Sequence, residues 1–131
     1  MTEFSFSGMA QIVLPALTKF LKNNQVSPEM VDKCLDIGSF DLPEVDAEAP
    51  EMRGKFLKQV KAKLRRALSS TAVEKLTVNQ VLALALIEND HPYERAAQIC
   101  ACQVGTIKSR VSRARWVLNP EAMRVRVHKK K

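Results

Sequence analysis

Cysteine, glycine and histidine are scarce in this chain, at three, four and two of 131 residues. Each scarcity removes a class of function. Cys34, Cys100 and Cys102 allow one bridge at most, and a single residue separates the last two, which disfavours an unstrained link between them. They read as reduced thiols behaving as small hydrophobes. A metal site built on His91, Cys100 and Cys102 would need a fourth ligand that nothing nearby supplies, so no metal or other cofactor is expected. There is no glycine-rich phosphate loop. His91 and His128 lie in a turn and in a tail, with no nucleophile–base spacing and no paired carboxylates, so an enzyme is not expected. No apolar run reaches the roughly 18–20 residues that a membrane span needs, and no basic stretch followed by an apolar one opens the chain as a secretory signal would. A soluble, cytoplasmic protein with no membrane partner is the expectation.

The chain does have positive charge, unevenly placed. Residues 1–50 hold three basic and eight acidic side chains, a net −5, whereas residues 51–131 hold 18 basic and six acidic ones, a net +12. Such asymmetry points to a polyanion-binding half joined to a half with another task. Attraction between the halves could neutralise only part of the excess, although it would let the first half fold over the second. Hydrophobic residues make up 46% and charged residues 27%, too apolar for wholesale disorder. At roughly 100–200 residues per domain, the length suits one domain or two very small ones.

Helical periodicity dominates. Leu14, Leu17, Phe20 and Leu21 recur at helical spacing within residues 9–23, but Pro15 sits inside the pattern, so the helix either starts near Leu14 or kinks there. Ser27-Pro28-Glu29 supplies a cap, a proline at the first helical position and a first-turn acid. The helix it opens carries Met30, Val31, Cys34 and Leu35 on one face, with Gly38 as a natural stop. Residues 39–50, SFDLPEVDAEAP, contain two prolines and no base, and read as an acidic linker. In residues 52–68 Phe56, Val60, Leu64, Ala67 and Leu68 form an apolar stripe, and Lys55, Lys58, Lys61, Lys63, Arg65 and Arg66 cover the rest. Thr77-Val78-Asn79-Gln80 has capping-box spacing, and residues 81–87 after it are apolar all round, as in a helix buried on most sides. Ahead of Tyr93 there is no alternating strand pattern with hairpin turns, and no repeat. The expected fold is all-α.

Residues 93–101 read as a short helix, 102–105 as a turn and 106–118 as a second helix: a helix-turn-helix, which lays its second helix in the DNA major groove. Ala96, Ala97 and Ala101 supply small residues where the helices cross. Ile107, Val111, Ala114 and Leu118 share a core-facing side of the second helix. Ser109, Ser112, Arg113 and Trp116 lie opposite, flanked by Lys108, Arg110 and Arg115. Arg and Lys favour guanine edges, while Ser and Thr bond to phosphate or base.

Residues 83–99, ALALIENDHPYERAAQI, and residues 104–115, VGTIKSRVSRAR, resemble the promoter-reading C-terminal domain (region four) of bacterial sigma factors of the extracytoplasmic-function group. The resemblance covers about residues 72–118. It implies a four-helix domain whose last helix reads the −35 promoter element and which also docks on the flap of the polymerase β subunit. Carried onto matching positions, Thr106, Lys108, Ser109, Arg110, Ser112, Arg113 and Arg115 form the DNA-facing set. Two departures stand out. Members often have Gly where this chain has Ala101, a position at which a left-handed backbone is easiest, and often Pro where Gln103 stands, so a slightly reshaped turn is expected. A complete sigma factor also has a second domain that melts the −10 element and stacks flipped bases on aromatic and basic side chains. Residues 1–71 are short for that domain and contain no Trp or Tyr. They are either a degenerate remnant of it or an unrelated helical pair.

The expected organisation is a helical region over residues 1–38, the acidic linker 39–50, a region-four-like domain over 51–118 and a basic tail 119–131. In that tail Arg124, Arg126, Lys129, Lys130 and Lys131 suit a sequence-blind electrostatic arm. The expected function is a bacterial or phage transcription regulator that binds double-stranded DNA sequence-specifically, with RNA polymerase as an implied second partner. Free helix-turn-helix regulators commonly dimerise, and Trp116 and residues 9–37 are candidate homodimer contacts. The alternative is a sigma mimic that binds polymerase or an anti-sigma partner, which the acidic linker and the apolar helix 78–87 would favour.

Overall fold

Apolar residues at helical spacing produce six α-helices and no strand among the residues that the computed structural model describes, 6–36, 40, 50–68 and 75–121. The chain divides into two compact units, Met1–Glu74 and Lys75–Lys131.

In the first unit α1 (Phe6–Asn23), α2 (Pro28–Leu35) and α3 (Pro50–Leu68) pack pairwise on one another. Helix α1 runs through Pro15 rather than starting there. Pro15 and Gln11 are both exposed, so the carbonyl left without its N–H partner lies on the watered side, where the loss is mildest. The opposite side buries Val13, Leu17, Phe20 and Leu21. Helix α2 opens as its sequence requires, with the Ser27 hydroxyl accepting the Met30 N–H at 3.2 Å. Val31, Cys34 and Leu35 are buried, but Met30, expected on the same face, is exposed and receives only the Cys34 thiol, 3.6 Å from its sulfur. In α3 the whole stripe from Phe56 to Leu68 is buried, and Phe40 packs on Phe56 with ring centroids 5.1 Å apart. The expected stop at Gly38, the linker apart from Phe40 and Pro50, and the tail beyond residue 121 lie outside the described residues.

Residues 51–68 therefore do not share a unit with the helix-turn-helix, as the boundaries 51–118 had it. Their apolar stripe closes the core of α1 and α2. Helical backbone is also present at residues 120–121, and ahead of it the C-terminal unit has three complete helices. These are α4 (Val78–Glu88), α5 (Tyr93–Cys100) and α6 (Val104–Leu118). The capping box forms: the Thr77 N–H donates to Gln80 Oε1 at 3.0 Å, and the Gln80 N–H to Thr77 Oγ1 at 3.1 Å. Every residue from Val81 to Leu86 is buried, because α4 packs against both α5 and α6.

Three helix ends close in the same way. Gln25, Asp90 and Ala101 have φ of 69°, 68° and 55°. The N–H that follows each bonds five residues back, Val26 to Leu21, His91 to Leu86 and Cys102 to Ala97. This is the Schellman closure, which usually places Gly at the left-handed position. Here the described glycines, Gly8, Gly54 and Gly105, are all inside helices. A left-handed L-residue costs about 1–2 kcal/mol, and Asp bears it more easily than Ala or Gln. Among the described residues, no helix is long and apolar enough to cross a membrane.

Candidate nucleic-acid interface

Ile107, Val111 and Ala114 are buried and seat α6 on α4 and α5. Leu118, expected on that side, is 37% exposed, because the end of α6 runs past the core. The helix begins at Val104, two residues earlier than the sequence suggested, with Gln103 as an extended N-cap. Gly105 and Thr106 thus belong to its first turn.

With one side fixed, the other is open. Lys108, Ser109, Ser112 and Arg113 are exposed, and Thr106, Arg110 and Arg115 are half-buried at the flanks. Two of the cations are tethered. Lys108 Nζ lies 5.6 Å from the Tyr93 ring centroid, a cation–π contact reaching back to α5. Arg110 Nη1 donates to Cys102 Sγ at 3.7 Å, joining the long helix to the turn before it. Ala96 and Ala97 are buried at the helix crossing. Ala101 is exposed and does not serve the crossing; it forms the left-handed turn. That is the position where Gly would be easiest, so the strain expected from the sequence is located there.

The first turns of α4 and α6 meet along a groove of about 500 Å³ lined by Thr77, Asn79, Gln80, Gln103, Gly105, Thr106, Ser109, Arg110 and Arg113. Amino-terminal turns expose unpaired N–H groups and the positive end of the helix dipole, and two guanidinium groups add to that field. The groove suits an anion such as a backbone phosphate. Asn79 Oδ1 is buried beside it with no hydrogen-bond partner. A methyl group at Gly105 would meet nothing within 4 Å, so the groove is open there. Sequence reading missed Thr77, Asn79, Gln80 and Gln103 as candidates. The only signal for Thr77, Asn79 and Gln80 was a capping box, which announces a helix start and says nothing of its neighbour in space, and Gln103 stood out only as a turn residue. Among the described residues, no group of three or more His, Cys, Asp or Glu is placed to hold a metal ion. The three cysteines are free thiols, with Cys34 and Cys100 buried.

No protein-family model and no solved structure matches the chain. A stretch of 49 residues, 37% of the chain, is 53% identical to part of the ECF RNA polymerase sigma factor EcfG of Rhodopseudomonas palustris (strain TIE-1). The matched stretch spans 27% of that relative's length. This similarity supports a sigma region-four-like domain in the chain, and α5 and α6 supply a helix-turn-helix.

Proposed function

We propose that this chain is a non-enzymatic regulator of transcription that reads double-stranded DNA with the outer side of α6. One observation carries the reading: Lys108, Ser109, Ser112 and Arg113 face solvent from a helix whose other side is locked by Ile107, Val111 and Ala114. A rigid helix presenting guanidinium, ammonium and hydroxyl groups outward meets the needs of major-groove readout. Arg113, exposed near the middle of α6, reads a base edge. Ser109, Ser112 and Thr106 set the register on phosphates and sugars. Residues 103–131 hold nine basic groups and one acid, a net +8. Arg124, Arg126, Lys129, Lys130 and Lys131 act in this scheme as the sequence-blind arm.

The experiment is selection of bound duplexes from a random pool, then titration of the selected and a scrambled duplex at several salt concentrations. With about five to eight phosphates contacted, log affinity falls against log salt with a slope of about −5 to −7; a slope near zero sinks the proposal. A single half-site in the selected pool reports a monomer, and a palindrome a homodimer. A polymerase pull-down tests the second partner.

A second reading is a sigma mimic that binds polymerase or an anti-sigma partner and reads little DNA. It is favoured by Trp116, Val117 and Leu118, three consecutive exposed apolar side chains at the end of α6. Capture of polymerase with no preference between the duplexes would select it.

A further inference from the structure

We propose that the solvent side of α3 is a second, sequence-independent seat for the phosphate backbone of duplex DNA. Lys55, Lys58, Arg65 and Arg66 are exposed. At 3.6 residues per turn they share an arc of about 100° opposite the Phe56–Val60–Leu64 stripe, and they extend over about 16 Å of helix. Lys61 and Lys63 flank them, half-buried.

The rest of that side suits close approach by a polyanion. Its other exposed positions are Gly54 and Ala62, and a methyl group at Gly54 would find no atom within 4 Å. No large apolar side chain stands there to enter a membrane, which an interfacial helix requires. The sequence of α3 contains no Ser, Thr or Asn, and Glu51 in its first turn is its one acid against seven bases. In this proposal its cations serve as phosphate contacts rather than as base readers.

A helix needing only a soluble exterior mixes signs along it. This one instead stacks like charges at helical neighbour spacing, Lys55 with Lys58, Lys58 with Lys61, Lys61 with Arg65, and Lys63 with Arg66, and such pairs repel. Among the described residues, Lys55, Lys58, Arg65 and Arg66 have no ion-pair partner. A line of phosphates relieves that repulsion. The choice of DNA as the polyanion rests on the reading of α6, since a second surface on the same chain meets its ligand at high effective concentration once the first has bound.

The test compares the full chain with its K55Q/K58Q/R65Q/R66Q variant on preferred and scrambled duplexes at 50 and 200 mM salt. Losing four phosphate contacts shrinks the slope by about 3.6, so the variant's deficit is on the order of 100-fold larger at the lower salt. The ratio between the duplexes stays unchanged. Its melting temperature holds or rises, because like-charge repulsion is gone, whereas a structural role would lower it. If the quadruple variant does not fold, K55Q/R66Q carries the same test with half the change in slope. Unchanged slope and affinity overturn the proposal, as does a loss confined to the preferred duplex. Intact DNA binding with lost polymerase capture also overturns it, by making the side a protein-docking surface. If the wild type shows no preference between duplexes while the quadruple variant weakens both, the α6 reading fails and the α3 seat stands. If R113A erases the preference while the quadruple variant binds like wild type, the reverse holds.

Discussion

Helices α3 and α6 are built from the same materials and arrange them differently. Both bury an apolar stripe and turn cations outward. On α6 the cations alternate with Ser109, Ser112 and Thr106, and two are tethered, Lys108 over Tyr93 and Arg110 on the Cys102 sulfur. On α3 the other exposed positions are Gly54 and Ala62, no hydroxyl stands among the exposed cations, and it is the flanking Lys63 that makes a cation–π contact, 5.0 Å from the Phe40 centroid. Charge density alone supplies affinity that salt screens away. Readout needs directional donors held in one place, and α6 has the neighbours to hold them.

The sharpest way to break this contrast is to remove each helix from its core. Phe56→Ala should cost about 3–5 kcal/mol and Ile107→Ala about 2–5 kcal/mol by urea unfolding, since both side chains are fully buried. If the two helices differ as described, Ile107→Ala takes sequence preference with it, while Phe56→Ala removes only sequence-blind, salt-dependent affinity. A similar loss of preference from both would erase the distinction.

A finer test keeps every charge. Arg113→Lys loses the planar fork and should cost about 1–3 kcal/mol of discrimination at one base position with the salt slope unchanged. Arg66→Lys should alter neither quantity. If the Arg113 exchange weakens all duplexes equally, that residue belongs with the phosphate contacts.

Smaller effects concern the turns that aim α6. Thr77→Ala removes one half of the capping box and should lower stability by about 1 kcal/mol. Ala101→Gly should raise it by about 1 kcal/mol by relieving the left-handed backbone, and Asp90→Gly by less, since Asp tolerates that region. Both are read from thermal melting. A destabilised Ala101→Gly variant would mean that the alanine is held there by packing rather than tolerated.

Much of this was legible in the residues themselves. The capping box at Thr77, the cap at Ser27, the stripe from Phe56 to Leu68 and the pattern Ile107–Val111–Ala114 all follow from local rules of period and hydrogen bonding. The misreadings have a common cause. Of the two expectations for Pro15, a helix start or a kink, the start is excluded because the helix continues through it. The freed carbonyl lies on the exposed side, where water compensates. Met30 and Leu118 fit their stripes by angle, but neither is covered by a neighbouring element.

The order of residues fixed the charge division, the helical periods, the likeness to a sigma region-four domain and the outward set from Thr106 to Arg115. Folding in three dimensions decided which core α3 would close, which of those seven side chains stand free or half-covered, and that Thr77, Asn79 and Gln80 share a groove with Arg110 and Arg113. The division is physical. A period of 3.6 residues states which side of a helix avoids water, whereas the surface that shields it is chosen among segments distant in sequence.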